Sequence, residues 1–113
     1  MIVIKAIAHL TTGSIDRVAE QVSEIRSRTL KRPGVIGYDF FQQDADHVVA
    51  LEVYENSDVL IAHVDAGGFD ALFEMIAVDR IELMGPVSDE VRSRFEVIGN
   101  VEMYPSITES RVA

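Results

Sequence analysis

The chain has no cysteine and no tryptophan, and ten basic residues stand against nineteen acidic ones. Without cysteine, the chain cannot form disulfides, thiolate nucleophiles or thiolate-bound metal sites. The formal net charge of −9 repels phosphate backbones and anionic lipids, so we expect neither a nucleic acid nor a membrane as partner. The apolar run at the N-terminus is short and contains Lys5, unlike a signal peptide or a membrane span. We therefore expect a cytoplasmic protein.

The length of 113 residues, with 48% hydrophobic and 26% charged residues, is typical of one globular domain with a single core. We place that domain at residues 1–107. The polar segment 108–113 is expected to be a flexible C-terminal tail.

Hydrophobic periodicity predicts alternating strands and helices. Ser14, Asn56 and Ser88 are typical N-cap residues, and Pro33 with Gly34 ends the first helix. The predicted strands are 2–10, 35–43, 47–55 and 80–86, with a further extended segment at 101–107. The predicted helices are 14–30, 57–64, 69–78 and 88–99.

The order β-α-β-β-α-β predicts an α+β, ferredoxin-like fold. A right-handed crossover followed by a hairpin gives an antiparallel sheet with helices on one face. The third strand then lies between the first and second, and the fourth flanks the first.

Alternation along the strands predicts two sheet faces of different character. The face expected under the helices is apolar: Ile2, Ile4, Ala6, Ala8, Val49, Leu51, Val53, Ile81 and Leu83. The other face mixes charges with apolar residues: Val3, Lys5, Ile7, His9, Ala50, Glu52, Tyr54, Arg80, Glu82 and Met84. A mixed face of this size is typical of a partner surface, so we expect a homodimer through Lys5, Glu52 and Tyr54.

The stretch Gly37 to Glu55 indicates strand, tight turn and strand, and a helix follows from Ser57. The end of the second of these strands, Glu52-Val-Tyr-Glu55, with Ala62-His63 in the next helix, resembles the antibiotic biosynthesis monooxygenase family. The resemblance covers roughly residues 1–105. It implies a dimeric α/β barrel that closes sheet against sheet, with the segment around Tyr104 reaching the partner.

The resemblance also implies a reaction that needs no cofactor and no metal. A phenol, quinol or anthrone that loses a proton gives an anion that reacts directly with O2. The protein must then supply a dry pocket, a base and groups that hold the anion. The heme-degrading branch is disfavoured because the chain lacks tryptophan, has Ala6 where that branch has an asparagine, and has Gly68 in place of its histidine.

His63 and Tyr38 are the candidate catalytic residues. His63 shares a helical face with Leu60 and Val64, so it points inward, and histidine titrates near neutral pH. The Tyr38 hydroxyl could hold a phenolate or relay a proton, if its strand face points to the helices. For both residues a purely structural role in the core is the alternative.

The candidate binding site for a small aromatic molecule lies between helices and sheet. Its predicted substrate-binding residues are Ala6, Phe40, Phe69 and Phe73. Small residues on the first strand leave room for a cavity there, and the alternative is that Phe69, Phe73 and Met75 simply fill it.

His9 and His47 are predicted to lie at the same end of neighbouring strands. With no clear third ligand they make a poor metal site, and we interpret them as surface histidines. A non-catalytic or isomerase-like small-molecule protein on the same scaffold remains the alternative to an oxygenase.

Overall fold

A five-stranded sheet and three α-helices make up the protein, seen in a computed structural model that describes residues 1–67 and 70–109. The strands are β1 (Ile2–Leu10), β2 (Val35–Gln42), β3 (His47–Tyr54), β4 (Ile76–Met84) and β5 (Val101–Tyr104), and the helices are α1 (Ile15–Thr29), α2 (Ser57–Asp65) and α3 (Asp89–Glu96). The strand order is β2-β3-β1-β4-β5, antiparallel except for the parallel pair β4–β5. The predicted α+β, ferredoxin-like fold and its strand order are confirmed.

The helices begin where side-chain caps predicted them. Ser14, Asn56 and Ser88 each accept a hydrogen bond from the backbone N–H three residues on. After α1, Gly34 adopts φ +85°, and a Cβ there would lie 2.6 Å from a methyl group of Val59. A glycine is therefore required where the chain turns from α1 into β2.

The predicted helix 69–78 is wrong over the part that the structure describes. A short 3₁₀-helix covers Leu72–Glu74, and β4 already begins at Ile76. The early start lets β4 pair with β1 from Leu10 opposite Ile76 to Val3 opposite Met84, around a bulge at Ile7/Ala8. Backbone hydrogen bonds to β1 therefore outweigh the helical spacing of the apolar residues.

The face assignment of β3 is also corrected by the structure. The strand register places Tyr54 opposite Ile2 and Glu52 opposite Ile4, so Glu52 and Tyr54 lie under the helices and are not interface residues. Leu51, opposite Lys5, lies on the outer face. The pattern misled because residues 47, 49, 51 and 53 are the more apolar set, whereas pairing with β1 fixes which set is covered.

The core consists of two apolar clusters on the inner face of the sheet. One packs beneath α1 and includes Val18, Val22, Ile25, Val48 and Leu72. The other packs beneath α2 and α3 and includes Ile4, Leu60, Leu83, Val91 and Phe95. The candidate active site lies between these two clusters.

Candidate active site

Glu52 and Tyr54 form the buried polar centre of β3. Their side chains project from the same face because they are two residues apart, and only 2% of Glu52 and 0% of Tyr54 is exposed. The Tyr54 hydroxyl donates a hydrogen bond to Oε1 of Glu52. A carboxyl group in an apolar core is costly unless it is hydrogen-bonded, and Tyr54 meets that requirement.

Tyr38 and His63 complete this buried polar cluster. Tyr38 lies opposite Glu52 on the neighbouring strand β2. The His63 ring, from the last turn of α2, contacts the rings of Tyr38 and Tyr54 at centroid distances of 5.4 and 5.8 Å. The Tyr38 hydroxyl has no hydrogen-bond partner within residues 1–67 and 70–109. We refer to Tyr38, Glu52, Tyr54 and His63 as the polar cluster.

Burial separates the pKa values of the cluster members. Burial raises the pKa of Glu52 to about 7, although the hydrogen bond from Tyr54 opposes part of the rise. Burial, and then the positive charge of Arg32, lowers the pKa of His63 to about 4. Burial and the Glu52 charge raise the pKa of both tyrosines. Near neutral pH, Glu52 is therefore the member of the cluster that gains and loses a proton.

A cavity of about 40 Å³ lies beside Glu52, between the sheet and its covering elements. Among its described lining residues, Glu52 alone carries a polar side chain. The apolar lining residues come from both core clusters and from the chain around them: Ile4, Ala6, Ala8, Phe40, Val48, Ala50, Leu72, Phe73, Ile76, Val78, Ile81, Phe95 and Ile98. The cavity has room for roughly two or three waters.

A surface groove of about 320 Å³ adjoins this cavity. Phe73, Ile76, Val78 and Ile98 line both spaces, and 42% of Phe73 is exposed. The groove and the cavity therefore share one wall, which includes the partly exposed Phe73.

The predicted site residues occupy different places in the structure. Ala6, Phe40 and Phe73 line the cavity, whereas Phe69 lies outside the described residues. Tyr38 and His63 are buried in the polar cluster beside Glu52 and are not among the lining residues. Their catalytic and binding roles stay predictions.

Glu52 is the residue that sequence reasoning missed as part of a site. Its signal was an acidic residue in a strand that is otherwise apolar between His47 and Tyr54. An acidic residue at this position is compatible with either face of the sheet. The predicted alternation placed Glu52 on the outer face, so it was not considered for the site.

The described residues contain no group of three or more His, Cys, Asp or Glu side chains that could hold a metal ion. In that same part of the chain, no helix is long and apolar enough to cross a membrane.

The family model for antibiotic biosynthesis monooxygenases matches residues 1–75. The chain therefore belongs to the antibiotic biosynthesis monooxygenase family. A comparison with curated protein sequences gives no significant match.

Solved structures with the same fold include three informative relatives. MupZ from Pseudomonas fluorescens is 18% identical, with a TM-score of 0.77, over 99% of this chain and 98% of its own. SnoaB, a cofactor-independent oxygenase from Streptomyces nogalater, is 10% identical, with a TM-score of 0.63, over 73% of this chain and 88% of its own. The structure of an antibiotic biosynthesis monooxygenase is 26% identical, with a TM-score of 0.55, over 66% of this chain and 80% of its own.

Proposed function

We propose that this protein is a cofactor-independent monooxygenase that oxidises a phenol, quinol or anthrone with O2. The observation that carries the proposal is Glu52, a buried carboxyl group with a pKa of about 7 that faces an otherwise apolar cavity. A base with a pKa near the working pH, at an apolar site, suits the removal of a weakly acidic proton. Family membership and the similarity to SnoaB, a cofactor-independent oxygenase, support the same reaction.

The reaction needs only the substrate, O2 and a group that moves protons. Glu52 takes a proton from the substrate, and the anion gives one electron to O2. The resulting radical and superoxide combine to form a C–O bond, and Glu52 returns the proton to the peroxide. Loss of the remaining proton on that carbon breaks the O–O bond, so that one oxygen atom stays as a carbonyl and the other leaves in water.

In this proposal the other members of the polar cluster hold Glu52 in place. The Tyr54 hydroxyl donates to the carboxylate and stabilises its charged form. His63 is neutral near pH 7 because its pKa is about 4, so it is a weak base there and acts through its ring contacts with both tyrosines. Tyr38 lies opposite Glu52 on β2, and its ring contacts that of His63.

Oxygen consumption tests the proposed function. We expect the protein, treated with chelator, to consume O2 with at least one member of a panel of quinols, naphthols and anthrones, forming a quinone that has gained one carbonyl oxygen. With ¹⁸O2, one labelled oxygen should appear in the quinone and the other in water. Uptake no faster than in a protein-free control across the panel would contradict an oxygenase.

An isomerase-like activity is the second candidate, because a single buried carboxyl group that moves protons is also enough for that reaction. Under anaerobic conditions such a protein would exchange an acidic C–H of a bound carbonyl compound with solvent deuterium. Exchange without O2 uptake would favour the isomerase, whereas O2 uptake with quinone formation would favour the oxygenase.

We also propose that the outer face of the sheet pairs with a second copy. Phe41 and Leu51 on this face are 53% and 40% exposed, and half-buried Val3, Ile7, Val49, Val53 and Met84 surround them. An apolar surface of this extent is typical of an interface between copies. Lys5 and Glu82 lie opposite each other on the same face and would be charged residues within the interface.

Replacing Leu51 by glutamate is expected to convert a dimer into a monomer, because the change places a charge in the centre of this apolar face. Light scattering should give a mass near twice 12.5 kDa for the wild type and near 12.5 kDa for Leu51→Glu. Val97→Glu is the control, since Val97 is 88% exposed at the end of α3, away from the sheet. A Leu51→Glu protein that stays dimeric would mean that another surface forms the interface.

A further inference from the structure

His9 and His47 form a pair on the outer face of the sheet, separate from the cavity. They lie directly opposite each other on β1 and β3, with ring centroids 6.3 Å apart. Both are partly exposed, with 42% and 38% of their side chains accessible. Their chain neighbours Ala8 and Val48 line the cavity on the other face of the same strands.

Each histidine is oriented by its own carboxylate. His9 Nδ1 lies 2.7 Å from Asp79 Oδ1, and His47 Nδ1 lies 2.8 Å from Asp44 Oδ1. An ionised carboxylate can only accept a hydrogen bond, so each Nδ1 carries the hydrogen. In the neutral form of both rings, Nε2 therefore holds the lone pair that binds metals.

The two carboxylates come from different elements. Asp79 belongs to β4, which pairs with β1, and Asp44 belongs to the turn that joins β2 to β3. Because Nδ1 of each ring is bound to its own carboxylate, Nε2 is the nitrogen that each ring has left for a metal ion.

We propose that His9 and His47 bind one divalent transition-metal ion through their Nε2 atoms, with Asp79 and Asp44 as the outer partners that orient the rings. Bonds of about 2.1 Å from Nε2 to the ion place two coordinated ring centroids roughly 5–6 Å apart, close to the separation seen here. Imidazole ligands suit Cu²⁺, Ni²⁺ and Zn²⁺. Water fills the remaining positions, since the described residues supply no third protein ligand.

Calorimetric titration of the chelator-treated native protein with Ni²⁺, and separately with Cu²⁺, tests the proposal. We expect one ion per chain, with Cu²⁺ bound more tightly than Ni²⁺. Replacing either ligand, in His9→Asn or His47→Asn, removes half of the protein ligands and should weaken binding by at least 10-fold. Asp79→Asn should weaken binding by about 10–100-fold, the usual effect of losing an outer partner.

Electron paramagnetic resonance of the Cu²⁺-loaded protein gives a readout that is independent of affinity. The wild type should show nitrogen splitting from two imidazoles, and each single variant should show splitting from one. Equal binding by the wild type and both histidine variants would overturn the proposal, as would a wild-type spectrum with a single nitrogen. Binding by the Leu51→Glu variant but not by the wild type would overturn it for the native protein, since a second copy would then cover the pair.

Discussion

Replacing Glu52 by glutamine is expected to lower kcat/KM for O2-dependent oxidation by about 10²–10⁴-fold, the usual contribution of a general base. Glutamine keeps the size of the side chain and an oxygen that can accept the Tyr54 hydrogen bond, but it cannot take a proton. The wild-type rate should rise with pH through an inflection near 7, the pKa of Glu52, because only the carboxylate is active. The variant should lack that inflection.

Two control variants make this result specific. Glu20→Gln changes an exposed carboxyl group on α1 and should leave the rate and its pH profile unchanged. His63→Phe removes the imidazole of the polar cluster while keeping a ring against Tyr38 and Tyr54, so it should retain the inflection near pH 7. If His63→Phe lost the inflection and Glu52→Gln kept it, the histidine would be the base.

Glu52 and His63 should make the stability of the protein depend on pH in opposite directions. Folding raises the pKa of Glu52 from 4.5 to about 7, so the folded state binds the extra proton between these values and loses stability as pH rises. The loss amounts to about 3 kcal/mol, at roughly 1.4 kcal/mol for each pKa unit. Glu52→Gln should therefore become more stable relative to the wild type between pH 4.5 and 7, and keep that advantage at higher pH.

His63 acts in the other direction. Folding lowers its pKa from 6.5 to about 4, so the unfolded state binds the extra proton and the wild type loses stability as pH falls through this range. Relative to the wild type, the free energy of unfolding of His63→Phe should rise by up to about 3 kcal/mol as the pH falls from 6.5 to 4. The different packing of the two side chains adds a further difference that does not change with pH.

Urea unfolding at several pH values, at one fixed protein concentration, measures both effects. Glu20→Gln should follow the wild type throughout. A Glu52→Gln protein whose stability difference from the wild type does not change with pH would show that Glu52 ionises normally in the folded protein. Glu52 would then have no raised pKa, and the proposal that it is the base would fail.

Much of the fold could be predicted because its signals are local. Ser14, Asn56 and Ser88 mark helix starts by capping backbone N–H groups within one turn, whatever the rest of the chain does. The hairpin of β2 and β3 follows from two strand patterns joined by a short polar turn. The order of elements then leaves few topologies open, and the observed one is among them.

The candidate site was predicted only in part. Ala6, Phe40 and Phe73 line the cavity. The small Ala6 side chain leaves space on the inner face of the sheet, and the two aromatic rings form part of its walls. Glu52 was placed on the wrong face because both alternating sets of β3 contain mainly apolar residues, and a slip of one residue exchanges the faces. His63 was correctly placed inside, but its lowered pKa depends on burial and on Arg32, which is distant in sequence.

The sequence alone determined α1, α2, α3 and the first three strands, the α+β class and the family resemblance, because caps, turns and periodicity act over a few residues. The tertiary structure decided which face of β3 is covered, where β4 begins, and that Glu52 meets Tyr54 beside a cavity. It also decided that His9 and His47 are each flanked by a carboxylate. These features depend on strand register, where backbone pairing between distant segments sets the position of every side chain, and no local pattern encodes that pairing.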